Sequence, residues 1–249
     1  MLFGKSKKID CKFADMHCHI MPEVDDGSPD VETTKEMLHI AYEDGIRTIC
    51  LTPHIRRPWL HREKHVIPTG FEQVRYAAKE IADDLEIYLG CELMYSEHVL
   101  QKYKDQLIGM NHTNYLLVEF DPNDDFNVIR DGLNHLISMG WDPILAHMER
   151  YFCIADNVDY VRRLKEMGIY LQVNANSIVN KHGKLHRSFM QPVLDERLVD
   201  FVSTDAHDTV RRRPELNEAA AYVEKYCGHE YMNKIFSENA ISMLRGESL

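Results

Sequence analysis

The stretch Glu43-Asp44-Gly45-Ile46-Arg47-Thr48-Ile49-Cys50-Leu51 decides the fold. A helical run ends on a glycine, and an apolar β-branched run starts on the next residue. Glycine just past a helix takes the left-handed conformation that turns the chain into a strand. The device recurs at Ser138-Met139-Gly140 before Pro143-Ile144-Leu145-Ala146, and at Glu166-Met167-Gly168 before Ile169-Tyr170-Leu171-Gln172-Val173. Short αβ loops repeated in this way predict alternating β/α units.

Working outward, strands are predicted at 13–17, 46–52, 86–91, 115–120, 142–146, 169–174 and 199–204. Helices lie between them. Phe71, Val74, Ala78, Ile81 and Leu85 form one apolar stripe, with Thr69 and Glu72 at capping-box spacing ahead of it. Ile129, Leu133, Leu136 and Ile137 form a second stripe, and Val158, Val161 and Leu164 a third. Ser28-Pro29 is the expected start of the first helix, a capping residue followed by proline. No linker, low-complexity stretch or solenoid repeat divides the chain. A single α/β domain over 13–249 is predicted, with residues 1–12 as a loosely attached arm; 249 residues suit one α/β barrel.

Composition narrows the function. With 29 Lys+Arg against 40 Asp+Glu the net charge is −11, which excludes a general nucleic-acid binder. No apolar run is long enough to span a membrane. The basic start Met1-Leu2-Phe3-Gly4-Lys5-Ser6-Lys7-Lys8 lacks the apolar core of a signal peptide. Six cysteines (11, 18, 50, 91, 153, 227) show no CxxC pair and read as reduced thiols of a cytoplasmic protein.

The chemistry sits where strands end. The first ends in His17-Cys18-His19, the second in Thr52-Pro53-His54, and the third in Cys91-Glu92. Val118-Glu119, Ala146-His147 and Thr204-Asp205-Ala206-His207 follow the same rule. In a parallel α/β barrel these ends meet on one face. Five histidines and three carboxylates gathered there need partners, and divalent metals supply them. Mixed imidazole and carboxylate without thiolate suits Mn, Fe or Zn. Eight donors exceed one tetrahedral ion, so at least two metals are implied; Asp25-Asp26-Gly27 offers a ninth ligand. Asn174 either lines the site or forms a turn. The other nine histidines (39, 61, 65, 98, 112, 135, 182, 186, 229) are expected at the surface.

Those blocks carry a resemblance. Asp15-Met16-His17-Cys18-His19-Ile20-Met21-Pro22 with Val24-Asp25-Asp26-Gly27 resembles the opening of the polymerase-and-histidinol-phosphatase (PHP) superfamily. More narrowly, it is similar to bacterial capsular-polysaccharide protein-tyrosine phosphatases. Gly90-Cys91-Glu92, Leu117-Val118-Glu119-Phe120, Ala146-His147-Met148-Glu149-Arg150-Tyr151, Gln172-Val173-Asn174 and Ser203-Thr204-Asp205-Ala206-His207 extend the match in order over about 13–245. The resemblance implies a distorted (β/α)7 TIM-like barrel and two or three divalent ions, manganese foremost, with Fe, Zn or Mg as alternatives. Its ligands would be His17, His19, Asp26, His54, Glu92, Glu119, His147, Asp205 and His207, and its phosphate-binding arginines Arg150 and Arg212. Arg211-Arg212-Arg213-Pro214 leaves open which arginine serves. Ile55-Arg56-Arg57-Pro58-Trp59 differs from relatives with a longer basic loop, which would touch the protein substrate.

The resemblance implies hydrolysis of a phosphotyrosine protein, the C-terminal tail of a bacterial tyrosine kinase that regulates capsular polysaccharide synthesis. Alternatives are a small-molecule (histidinol-phosphate-like) phosphatase, an amidohydrolase-type barrel, and a non-catalytic kinase-binding regulator. Glu119 stands where the amidohydrolases need a bridging lysine. No Cys-x5-Arg loop of the cysteine phosphatases is present.

Overall fold

The computed structural model describes residues 8–56, 65–155, 157–179 and 184–249, with the backbone alone over 184–188. In chain order its main elements are β1 (Phe13–Cys18), α1 (Val31–Asp44), β2 (Ile46–Leu51), β3 (His54–Ile55), α2 (Val66–Ile81), β4 (Glu86–Leu89) and β5 (Glu92–Met94). Then come α3 (Glu97–Tyr103), β6 (Tyr115–Glu119), α4 (Phe126–Ser138), β7 (Asp142–Leu145), α5 (Val158–Glu166), β8 (Tyr170–Asn174) and α6 (Ala175–Ile178). The last are α7 (Lys184–Asp195), β9 (Phe201–Ser203), α8 (Asn217–Cys227), α9 (His229–Asn233) and α10 (Asn239–Leu244).

Every strand pairing among the described residues is parallel, in the orders β1-β2-β4 and β3-β5-β6-β7-β8-β9. The predicted strands 46–52 and 86–91 are each interrupted and resumed, as β2 then β3 and β4 then β5. Pro53 has no N–H for a ladder, and a Cβ on Gly90 would meet Met110 Sδ at 2.5 Å. Across the gaps Thr52 N–H donates to the Cys18 carbonyl (3.0 Å), Gly90 N–H to Leu51 (2.9 Å) and Glu92 N–H to Pro53 (3.2 Å). At the other end a parallel bridge joins Cys18 to Ala206. His19 N–H donates to Ala206, and Asp205 N–H to His17, each at 2.8 Å. The α/β expectation of one domain with parallel strands therefore holds.

Glycine hinges make the αβ turns. Gly45 (φ 110°) follows α1 in the left-handed region, and Gly140 and Gly168 do the same after α4 and α5. Two helix starts differ from expectation. Asp30, not Ser28, caps α1, its carboxylate accepting Thr33 N–H at 2.7 Å; Ser28 is buried and donates to the Asp30 carbonyl at 2.8 Å. Helix α2 begins at Val66 rather than Thr69. Val66 and Ile67 pack on the core, and Pro68 falls in the first turn, where a missing N–H has no partner to lose.

Strands β1 and β6 are buried along their whole length, as two-sided parallel strands are. The helical stripes behave as core: Val74 and Ala78 of α2, Ile129, Leu133 and Leu136 of α4, and Val161 and Leu164 of α5 are buried. The N-terminal arm is not loose over residues 8–12. Ile9 is buried, its N–H donates to Asn217 Oδ1 (2.9 Å), and Ser237 Oγ donates to the Lys12 carbonyl (2.8 Å). Residues 1–7 lie outside the described residues.

Candidate metal centre

Strand alternation builds the site. His17 and His19 lie two residues apart at the end of β1 and share a face. Cys18 points the other way, its thiol 3.7 Å from the Cys50 carbonyl. His54 heads β3, Glu92 heads β5 and Glu119 ends β6, while His147 follows β7 and Asp205 and His207 follow β9. Gly27 folds the loop after β1 back onto the site, because a Cβ there would lie 1.9 Å from the His19 carbonyl oxygen. His147 (φ 32°) and Asp205 (φ 51°) hold left-handed backbones. For non-glycine residues that costs about 1–3 kcal/mol, and such strain clusters at functional sites.

All nine expected ligands come together. They fall into the groups His19/Asp26/His54/His207, His17/His19/Glu92, His17/His147/Asp205 and His54/Glu92/Glu119, with donor atoms in each group within 4.8 Å of one another. All but Asp26 are buried.

The tautomers show what these groups suit. His17 Nδ1 lies 3.2 Å from Gln172 Oε1, His19 Nδ1 2.8 Å from Asp25 Oδ2, and His207 Nδ1 3.0 Å from the Asp205 carbonyl. Each Nδ1–H has an acceptor, so each Nε2 is left to point its lone pair inward. His17 Nε2 and His19 Nε2 stand 3.3 Å apart, and each lies 3.3 Å from an oxygen of Glu92. Glu92 also meets His54 Nδ1 at 2.8 Å and His147 Nε2 at 3.1 Å. Buried His147 Nδ1 has no hydrogen-bond partner among the described residues. Imidazole lone pairs and carboxylates converging in this way fit divalent cations.

In a bare site protons take the cations' place. Burial pulls the His19 imidazole down, but Asp25 and Glu92 together push the group up to about 9. Burial likewise opposes His54, yet Glu92, Asp26 and Glu119 push it up to about 12. His17 is raised against its burial by Glu92 and Asp205. Burial works against the charged forms of Glu92 and Asp205, but the facing imidazoles, with Arg150 and Arg212 at Asp205, hold both below the usual carboxylate range. His207 moves down, through burial and the charge of His19.

Several contributors were not assigned from sequence. Gln172 Oε1 also accepts the His147 N–H (2.6 Å). Its amide donates to Asn174 Oδ1 (2.9 Å), and Asn174 Nδ2 donates in turn to Asp205 Oδ2 (3.0 Å), so Asn174 does line the site. Asp25 orients His19 and accepts the His54 N–H at 3.0 Å. Asp15, on the same face of β1 as the two histidines, accepts the Thr204 N–H and hydroxyl. Arg56 reaches Asp26 (3.0 Å) and Glu119 (3.3 Å).

Arg150 Nη1 and Arg212 Nη2 both contact Asp205 Oδ2, at 2.9 and 2.5 Å. Arg213 pairs with Glu215 (2.9 Å), and Arg211 is exposed, so Arg212 is the one of the three that the fold brings to the centre. Glu149 is fully buried and accepts from Ser177 Oγ (2.7 Å) and Asn174 N–H (3.1 Å). Of the remaining histidines, 39, 65, 98, 112, 135 and 229 are exposed as expected. His61, His182 and the His186 side chain lie outside the described residues, as do Arg57, Pro58 and Trp59. Among the described residues no helix is long and apolar enough to cross a membrane.

Comparison with known proteins agrees with this geometry. The chain is 33% identical to tyrosine-protein phosphatase CpsB of Streptococcus pneumoniae over 231 residues, 90% of this chain and 95% of that protein. It is 31% identical to tyrosine-protein phosphatase YwqE of Bacillus subtilis, covering 94% of this chain and 92% of that one. Its fold superposes, with a TM-score of 0.86 and 30% identity over 95% of this chain and 96% of the other, on a crystal structure from work on YwqE of B. subtilis and CpsB of S. pneumoniae, described as metal-dependent tyrosine phosphatases. Histidinol phosphate phosphatase of Lactococcus lactis, at a TM-score of 0.57 and 15% identity over 88% of this chain and 95% of that one, shares the fold alone. The model of the family described as "Capsular polysaccharide synthesis, CpsB/CapC" matches residues 13–245. With its metal-suited donors and its arginine pair meeting at Asp205, the chain belongs to the CpsB/CapC capsular polysaccharide synthesis family.

Proposed function

We propose that the protein is a metal-dependent protein-tyrosine phosphatase. The observation that carries this reading is the placement of Arg150 and Arg212 on one oxygen of a cluster carboxylate. Two guanidinium forks beside a polynuclear cation site suit a phosphate dianion. The reading includes two or three divalent ions, manganese foremost, held by His17, His19, Asp26, His54, Glu92, Glu119, His147, Asp205 and His207. Ions bound by such donors lower the pKa of water and offset the charge of the phosphoryl group.

The chain's own side chains then have distinct tasks. Gln172, Asp25 and the Asp205 carbonyl fix the imidazole tautomers. Arg150 and Arg212 orient the phosphate and take up charge in the transition state. No thiol nucleophile is needed: burial pushes the Cys153 thiol up, the wrong direction for a thiolate. A phenol leaves with a pKa near 10, so weak acid assistance favours an aryl over an alkyl ester.

Relatives named tyrosine-protein phosphatases in a capsule-synthesis family support the assignment of the substrate. The reading extends to the C-terminal tail of a bacterial tyrosine kinase controlling capsular or exopolysaccharide synthesis, and to a cytoplasmic location. The test compares phosphotyrosine and phosphoserine peptides of one sequence. Strong preference for phosphotyrosine, inhibition by vanadate and chelators, and resistance to iodoacetamide are expected. Equal rates on both peptides, or full inactivation by iodoacetamide, would overturn it.

A further inference from the structure

We propose that Phe152 and Val210 are the apolar lips of the phosphate site and select an aryl ester, an assignment that rests on the phosphatase reading above. They are 72% and 78% exposed, the most exposed large apolar side chains among the described residues. Phe152 lies two residues after Arg150, and Val210 two before Arg212. The two arginines meet on Asp205 Oδ2, so each of these side chains stands two residues from a group that reaches the metal centre. The other strongly exposed aromatics, Tyr76 and Tyr226, lie on helices α2 and α8.

Neither lip is exposed through looseness. Phe152 N–H donates to the Pro122 carbonyl at 3.1 Å, in the loop after Glu119, and the neighbouring Tyr151 and Ile154 are fully buried. Val210 rides a turn clamped by Asp208, whose Oδ1 accepts the N–H groups of Val210 (2.6 Å), Arg211 (2.5 Å) and Arg212 (3.3 Å). His207 N–H closes the turn on the Arg212 carbonyl at 2.9 Å. Scattered exposed apolar side chains are ordinary, but these two are fixed beside one anion site. A phosphomonoester gripped by Arg150 and Arg212 must direct its organic group out of the cluster, between these loops. An aromatic ring there has an apolar edge to meet on Phe152, and a methyl-sized group does not reach it.

The test measures competitive inhibition of the metal-loaded enzyme by phenylphosphonate and by methylphosphonate, which separates ring contact from leaving-group chemistry. Phe152→Ala is expected to weaken phenylphosphonate by roughly 10-fold, the low end of pocket-scale apolar discrimination. Methylphosphonate inhibition and metal content should stay the same, Phe152→Tyr should retain ring affinity, and Val210→Asp should act in the direction of Phe152→Ala. Equal loss on both phosphonates, or none on either, would overturn the assignment while leaving the phosphatase reading intact. A wild-type protein that hydrolyses no phosphomonoester and binds neither phosphonate would overturn both. Wild-type self-association abolished by Phe152→Ala, with ring affinity unchanged, would make the patch a subunit contact instead and sink the proposal.

Discussion

His17 Nε2 and His19 Nε2 face each other across 3.3 Å. With their Nδ1 atoms committed to Gln172 and Asp25, the gap between them admits a proton or a metal ion and nothing apolar. The competition between these two cations sets how the site responds to pH.

Metal uptake is therefore expected to release protons. In the bare site His19 is pushed up to about 9 and His54 to about 12, so both carry protons at neutral pH. Ligation needs neutral imidazole. Affinity should rise as pH rises from 6 to 8, because the same protons are released into a solution that holds fewer of them. Calorimetric titration with Mn²⁺ in buffers of different ionisation enthalpy checks this; a heat independent of buffer would contradict it.

Gln172 supports two ligand-bearing residues at once, accepting from His17 Nδ1 and from the His147 N–H. Gln172→Leu keeps the volume but removes the acceptor. The expected loss of metal affinity is roughly 10–100-fold, the range for outer-shell partners of ligating histidines. Metal-chelator competition on the folded variant measures it, and unchanged affinity would count against the orienting role.

Arg150→Ala and Arg212→Ala should each lower kcat/KM by roughly 10–1,000-fold, about 1.4–4 kcal/mol of transition-state stabilisation, with metal content unchanged. Lysine should rescue only in part, because a point charge lacks the fork of donors. Arg211→Ala and Arg213→Ala should have little effect, since neither side chain reaches Asp205. Elemental analysis alongside steady-state kinetics separates the outcomes: metal lost from Arg150→Ala would make that arginine a structural partner of Asp205.

Gly27→Ala tests the loop that carries Asp25 and Asp26. The new Cβ would lie 1.9 Å from the His19 carbonyl oxygen, so the loop must move. Weakened metal binding and a lower Tm are expected, against a fold otherwise preserved. Circular dichroism and elemental analysis of the variant report both, and wild-type metal content with an unchanged Tm would show the loop dispensable.

What could be read from sequence follows from periodicity. Gly45, Gly140 and Gly168 mark αβ turns because few other residues tolerate their conformation, and the apolar strand runs set where His17, Glu119 and Asp205 emerge. Local signals failed where long-range packing decides. Ser28-Pro29 and Thr69/Glu72 both look like caps, yet Asp30 caps α1, and burial of Val66 and Ile67 draws α2 back three residues. Asp25 and Asp26 are adjacent and chemically identical; only the fold of the loop sends one to His19 Nδ1 and the other toward His54 and His207. Gln172 carried no charge to draw notice, and its role depends on β8 lying beside β7. Arg212 stood out from its two neighbours only once the turn clamped by Asp208 was in place.

This donor cluster is expected to work through bound cations on an aryl phosphate. The direct measurement is the rate of phosphate release from a phosphotyrosine peptide by chelator-stripped protein, before and after Mn²⁺ is restored, with Asp205→Ala carried in parallel. Negligible rate is expected when stripped, with recovery on adding Mn²⁺ and no recovery in Asp205→Ala. Full activity in the stripped protein, or undiminished activity in Asp205→Ala, would contradict it.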